Sequence, residues 1–106
     1  MSVETARDYL KNYRLLQAKI TRLEQLMSEC PEKREKYRKE LNSAVTLRDK
    51  IEDSIDALDG GILSEILSQK YICGRSLEEI SYLINYSKRQ TERLHIKALL
   101  SFKPIQ

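Results

Sequence analysis

The chain has 106 residues, 33% of them charged, with three Gly, two Pro, no Trp and a net charge of +3. That length suits one compact domain or a small head on an elongated support, and the recurring Leu, Ile and Tyr argue against long disorder. No apolar run is long enough to span a membrane, and the start, MSVETARDYLKNYR, lacks the basic-then-apolar order of a signal peptide, so a cytoplasmic location is expected.

Few helix breakers and many Leu, Lys, Glu and Arg predict an all-α protein. The first helix is expected from about Ser2 to Cys30, with Ser2 or Thr5 as cap. Tyr9, Tyr13, Leu16, Ile20, Leu23 and Met27 follow one another at spacings of 4, 3, 4, 3 and 4, a heptad-like apolar seam. Pro31 interrupts this helix and suits the first turn of the next. The second helix is expected over Pro31 to Leu58, with Tyr37, Leu41, Ala44, Ile51, Ile55 and Leu58 on its stripe. Arg48 falls where that stripe lacks an apolar residue. The mixed-sign block EKREKYRKE reads as a solvated face, with a phosphate-binding patch as the alternative.

Two such helices joined by a short link form a long antiparallel, coiled-coil-like hairpin. A lone hairpin buries little surface, so it is expected to pack on the rest of the chain, on a second copy of itself, or both. The Tyr9-to-Met27 seam is the candidate oligomerisation surface for a homodimer, although an intramolecular hairpin would use the same stripe. Asp59-Gly60-Gly61 ends the second helix, Gly supplying a left-handed terminus. The expected division is residues 1–59 as hairpin support and 60–106 as a three-helix head.

In the head, Ile62, Ile66, Leu67 and Tyr71 or Ile72 mark a short helix that Gly74 ends. Ser76 and Glu79 then form an S-x-x-E capping box, and Ser87 and Gln90 form a second, S-x-x-Q. Between them Asn85-Tyr86 breaks the chain. The two capped starts are 11 residues apart, so two short helices flank a tight turn.

The stretch fits a helix-turn-helix, whose helices cross steeply over a small shared core. Numbered from Leu77, Ile80 and Ile84 fall on buried positions and Ser81 on the position that must be small. Asn85 stands where a left-handed backbone is needed, Tyr86 and Leu94 on further buried positions, and Thr91 on a compact one. Lys88, Arg89, Glu92 and Arg93 are left outward on the first turns of the last helix. There they are candidate base readers: Arg and Lys reach guanine O6 and N7, and Glu accepts from cytosine N4. Arg75, Ser87, Gln90, Lys97 and Lys103 are candidate phosphate contacts. Charge agrees: residues 1–69 hold 12 Lys/Arg against 13 Asp/Glu, whereas residues 70–106 hold 7 against 3.

On these residues the stretch LSQKYICGRSLEEISYLINYSKRQTERLHIKALLSF resembles region 4 of sigma-70 family factors. More closely, it resembles small phage-encoded transcriptional regulators with a region 4-like helix-turn-helix. The resemblance is carried by Tyr71, Gly74, Ser76, Glu78, Glu79, Ile80, Asn85, Tyr86, Ser87, Arg89, Gln90, Arg93, Leu94, His95, Ala98 and Leu99. It covers about 40 C-terminal residues. The chain departs at Leu77, where an aromatic is common, and at Ser81, where Ala is common. What the resemblance implies is binding of double-stranded DNA and transcription control in phage or prophage, inside a bacterial host cell. RNA polymerase is a further partner compatible with it. Nothing in the chain resembles the aromatic-rich helices that melt promoters.

An enzyme is not expected. The single His95 has no nucleophile or carboxylate motif around it, and no phosphate-binding Gly loop or metal-ligand spacing occurs, so no cofactor and no metal is expected. His95 reads as a surface or packing residue, with a phosphate or pH-sensitive contact as the alternative. Cys30 and Cys73 read as thiols in a reducing compartment rather than a disulfide or redox switch. The rival functional reading is a protein-interaction module, binding polymerase, a host protein or a packaging component in the manner of small terminase subunits, with weak or nonspecific DNA binding.

Overall fold

The computed structural model describes residues 1–105, and among these every regular element is helical. In chain order they are α1 (Val3–Glu29), a 3₁₀ turn (Pro31–Lys33), α2 (Arg34–Asp56), α3 (Ile62–Leu67), a π-helical turn (Ser68–Ile72), α4 (Leu77–Ile84) and α5 (Lys88–Ser101). The radius of gyration is 16.1 Å and the extents are 53 × 28 × 22 Å. A compact chain of this length would have a radius near ~13 Å. The difference comes from α1 and α2, since the 27 residues of α1 span roughly 40 Å at 1.5 Å per residue.

Ser2 starts α1: its side chain accepts the Thr5 N–H at 3.1 Å, and Glu4 complements the positive helix end. The end is set by Pro31, which pushes Cys30 out of the helical region to φ −125°. The sequence predicts α2 from Pro31, but the first three residues form a separate 3₁₀ turn and α2 begins at Arg34.

Where α1 lies on α2, the Tyr13 hydroxyl donates to the Glu52 carboxylate, and Arg48 Nη1 donates to Gln17 Oε1 at 3.1 Å. The gap that Arg48 leaves in the apolar stripe of α2 is thus filled by a polar pair. Gln17 is the matching gap on α1. The buried stripe of α1 includes Ala6, Leu10, Tyr13, Ile20 and Leu23. It therefore departs from the predicted seam in its first half, where Ala6 and Leu10 replace Tyr9 and Leu16, which are only half-buried.

One apolar cluster joins Ala6, Leu10 and Tyr13 of α1 and Ile51 and Ile55 of α2 to the C-terminal elements. These contribute Leu63, Leu67, Tyr71, Ala98, Leu99 and Phe102. The break in the chain at residues 57–61 is not a break in the core. Burial of this cluster is the main force holding the two parts together, at about 25 cal/mol per Å² of apolar surface removed from water.

Asp59 has a different part from the expected one. Helix α2 has already ended at Asp56. The Asp59 carboxylate accepts from the N–H groups of Gly61 (2.9 Å), Leu63 (3.1 Å) and Ser64 (3.0 Å), so it opens α3 rather than closing α2. These bonds, the one from Gly61 foremost, lower its pKa to about 2. Ser64 Oγ, 2.8 Å from the Ile55 carbonyl oxygen, ties α3 back to α2.

Candidate nucleic-acid interface

The local rules that place the last two helices operate as the residue types require. Ser76 Oγ accepts the Glu79 N–H at 3.1 Å and Glu79 Oε1 accepts the Ser76 N–H at 3.1 Å. Ser87 and Gln90 repeat the exchange at 3.1 and 3.2 Å. Each box satisfies amides that a helix start leaves without an intrahelical partner. Between the boxes Asn85 takes φ 60°, ψ 42°, the left-handed conformation that turns the chain from α4 into α5.

The crossing of α4 and α5 is built on small and β-branched residues. Ile80 and Thr91 are fully buried, and Ser81 is buried with its hydroxyl donated to the Glu78 carbonyl at 2.6 Å. Thr91 Oγ1 donates to the Ser87 carbonyl at 2.9 Å, so the side chain satisfies its own polar group. Three expectations are corrected. Ile84, at the last turn of α4, is half-buried rather than buried. Tyr86 is 42% exposed, because its N–H closes onto the Ser81 carbonyl at 3.0 Å and holds residue 86 in the turn while Ile80 and Thr91 fill the core. Leu94 is half-buried, packed at the edge of the main cluster.

Lys88, Arg89, Glu92 and Arg93 are all exposed on the first turns of α5, and Arg89, Glu92 and Arg93 line one shallow surface cleft with Ile96. The opposite face of α5 buries Thr91, His95, Ala98 and Leu99, which anchors the outward set. Among the described residues the ion pairs are Glu35–Arg38 at 3.6 Å and Arg48–Asp49 at 3.1 Å. The cations of α5 carry no such partner. Arg75, Ser87, Gln90, Lys97 and Lys103 are likewise exposed. Ser87 Oγ and Gln90 Oε1 are committed to the capping box, which leaves the Gln90 side-chain N–H₂ as the donor facing outward.

His95 is inside. It is 4% exposed, its Nε2 lies 2.8 Å from the Tyr71 hydroxyl, and the two rings are stacked with centroids 5.8 Å apart. Burial, then the positive charges of Lys70 and Arg7, pull its pKa down to about 4. The imidazole is therefore a neutral packing group, out of reach of a phosphate. Burial also raises the Tyr71 hydroxyl above its ordinary value. Burial and the bond to Glu52 push Tyr13 up to about 12.

The proposed oligomerisation seam is largely taken up inside the chain. Tyr13, Ile20 and Leu23 are buried, and Tyr9, Leu16 and Met27 are half-buried. A dimer through these residues requires α1 to part from α2. A groove of about 600 Å³ lies on the flank of the two long helices, lined by Tyr9, Leu15, Leu16, Leu47 and Ile51 among others. It is not at the α5 surface.

Sequence reasoning missed a second basic surface. Lys11 and Arg14 of α1, Lys70 of the π turn and Arg75 line a cleft of about 450 Å³ with Tyr71, Gly74, Ser76 and Glu79. No local motif signals it, because the cations come from segments about 60 residues apart. Cys30 is half-buried, Cys73 is exposed and both are free thiols. Among the described residues no cluster of His, Cys, Asp and Glu could hold a metal ion, and no helix is long and apolar enough to cross a membrane. No protein-family model, curated protein or solved structure matches the chain.

Proposed function

We propose that the chain is a sequence-specific DNA-binding transcriptional regulator of phage or prophage origin. In this reading α4 and α5 form a helix-turn-helix, α5 enters the major groove, and α1 and α2 are the antiparallel hairpin that supports it. Arg89 and Arg93 present guanidinium forks to guanine edges, Lys88 adds a third donor, and Glu92 accepts from cytosine. The observation that carries the reading is the first half of α5. Four exposed polar side chains project from a helix whose start is held by the Ser87–Gln90 box and whose other face is locked by fully buried Thr91.

Selection of bound sites from random duplex DNA tests it. Wild type is expected to enrich one sequence family, and Arg89→Ala to lose that enrichment while remaining folded. Absence of enrichment with wild type sinks the reading. RNA polymerase and a second copy of the chain are compatible partners in the bacterial cytoplasm.

A second reading is favoured by the apolar surface of α4. Tyr82 and Leu83 are 79% and 55% exposed, and exposed apolar groups gathered on one element mark a protein partner. As a protein-interaction module the chain would bind duplex DNA weakly and without sequence preference. Salt dependence and site preference measured together separate the two readings.

A further inference from the structure

We infer that the cleft between α1, the π turn and the start of α4 is a second phosphate-binding surface, which grips the DNA backbone beside the site read by α5. This rests on the duplex-binding reading and extends it to α1, whose Lys11 and Arg14 belong to no local ligand motif.

The cleft gathers Lys11, Arg14, Lys70 and Arg75. None of the four has an ion-pair partner among the described residues, where the pairs formed are Glu35–Arg38 and Arg48–Asp49. The only acid in the lining is Glu79, and its carboxylate is turned onto the Ser76 N–H at 3.1 Å. Elsewhere on the long helices charge is mixed, as in the stretch from Glu32 to Glu40. Four cations against one carboxylate in a concavity is an excess of one sign that the mixed, solvated stretch does not have.

Arg14 is also positioned. Its Nη1 donates to the Ile72 carbonyl at 3.3 Å, and its guanidinium lies over Gly74, where a Cβ would stand 2.3 Å from Nη1. The missing side chain of Gly74 makes that seat, and the remaining guanidinium N–H groups are free to bond an anion. A duplex suits such a group of cations because its phosphates repeat along the strand, so neighbouring charges meet neighbouring charges. The cleft opens at Ser76, the cap of α4, and α4 packs directly on α5. Helix α4 therefore links the two surfaces.

The test uses Lys11→Gln/Lys70→Gln in the full chain, with Lys11→Arg/Lys70→Arg as the charge-keeping control. Each is titrated against a selected duplex and a random duplex over a salt series. Loss of two phosphate contacts should flatten the log K against log salt slope by about 1.8, taking ~0.9 per contact. Preference for the selected site should stay unchanged, and the Arg pair should keep the wild-type slope. A photo-crosslinker on Cys73, in a Cys30→Ser background, should label DNA flanking the selected site. An unchanged slope in a folded Gln pair, with no crosslink, overturns the inference while leaving the α5 reading intact. A Gln pair that keeps its duplex slope but loses binding to poly-glutamate that wild type shows assigns the cleft to an acidic protein segment and overturns it too. Wild type that binds no duplex at all overturns both.

Discussion

Replacing Gly74 by Ala probes the joint between the π turn and α4. Gly74 sits at φ +74°, in the left-handed region that costs an L residue roughly 1–2 kcal/mol. Its new Cβ would also stand 2.3 Å from Arg14 Nη1 and 2.8 Å from Cζ. Because the guanidinium is the far end of a flexible side chain, it swings aside rather than forcing the backbone to move. The cost of that swing is the 3.3 Å bond to Ile72, long and solvent-exposed, worth about 0.5 kcal/mol at most. The sum is about 2 kcal/mol, which for a domain of this size lowers the melting temperature by roughly 10 °C. Urea unfolding of wild type, Gly74→Ala, Arg14→Ala and the double variant gives the partition. Backbone strain persists with or without Arg14, so the coupling should stay near ~0.5 kcal/mol. A Gly74→Ala protein as stable as wild type would refute the strain argument. A coupling as large as the whole effect would show that collision with Arg14, not backbone conformation, requires the glycine.

Asn85→Ala should cost about 1 kcal/mol in urea unfolding, since Asn85 holds φ 60° and Ala tolerates that conformation less well, whereas Asn85→Gly should be neutral or slightly stabilising. His95 sets an acid limit. Its folded pKa of about 4 lies below the ordinary 6.5, so the unfolded chain binds the extra proton. Stability is then full above pH 6.5 and falls as pH drops toward 4. His95→Gln should flatten the melting-temperature profile between those limits; an unchanged profile would mean that His95 is not what titrates. Arg89→Ala and Arg93→Ala should each cost roughly 1–3 kcal/mol of affinity for the selected site. Their melting temperatures should stay at the wild-type value, and an unfolded variant would place these residues on the wrong face of α5.

How much of this was legible depended on how local each cause is. Both capping boxes and the left-handed Asn85 involve residues no more than three apart, and residue type alone locates them. Thr91 and Ser81 were legible for the same reason: only compact residues fit where two short helices cross. The stripe of α1 was misread because its buried face runs through Gln17, whose partner Arg48 is far along the chain. A count of apolar spacings skips a polar pair of that kind and slides onto Tyr9 and Leu16. Asp59 reads in the sequence as the end of α2 because Gly60 and Gly61 follow it. Its bonds to Leu63 and Ser64 show the next helix as its true partner. The sequence leaves His95 open between surface and interior because its burial depends on Tyr71, from another helical segment. The Lys11 and Lys70 cleft had no sequence signal, since only packing of α1 on the head brings the charges together.

Sequence-specific DNA binding is tested most directly by equilibrium binding of the full chain to its selected duplex and to a random duplex, each over a salt series. Affinity is expected to fall steeply with salt on both, with the selected site held on the order of 10³-fold or more tighter at physiological salt. Equal affinity for the two duplexes would contradict that specificity and leave α5 as a charged surface of a protein-binding module.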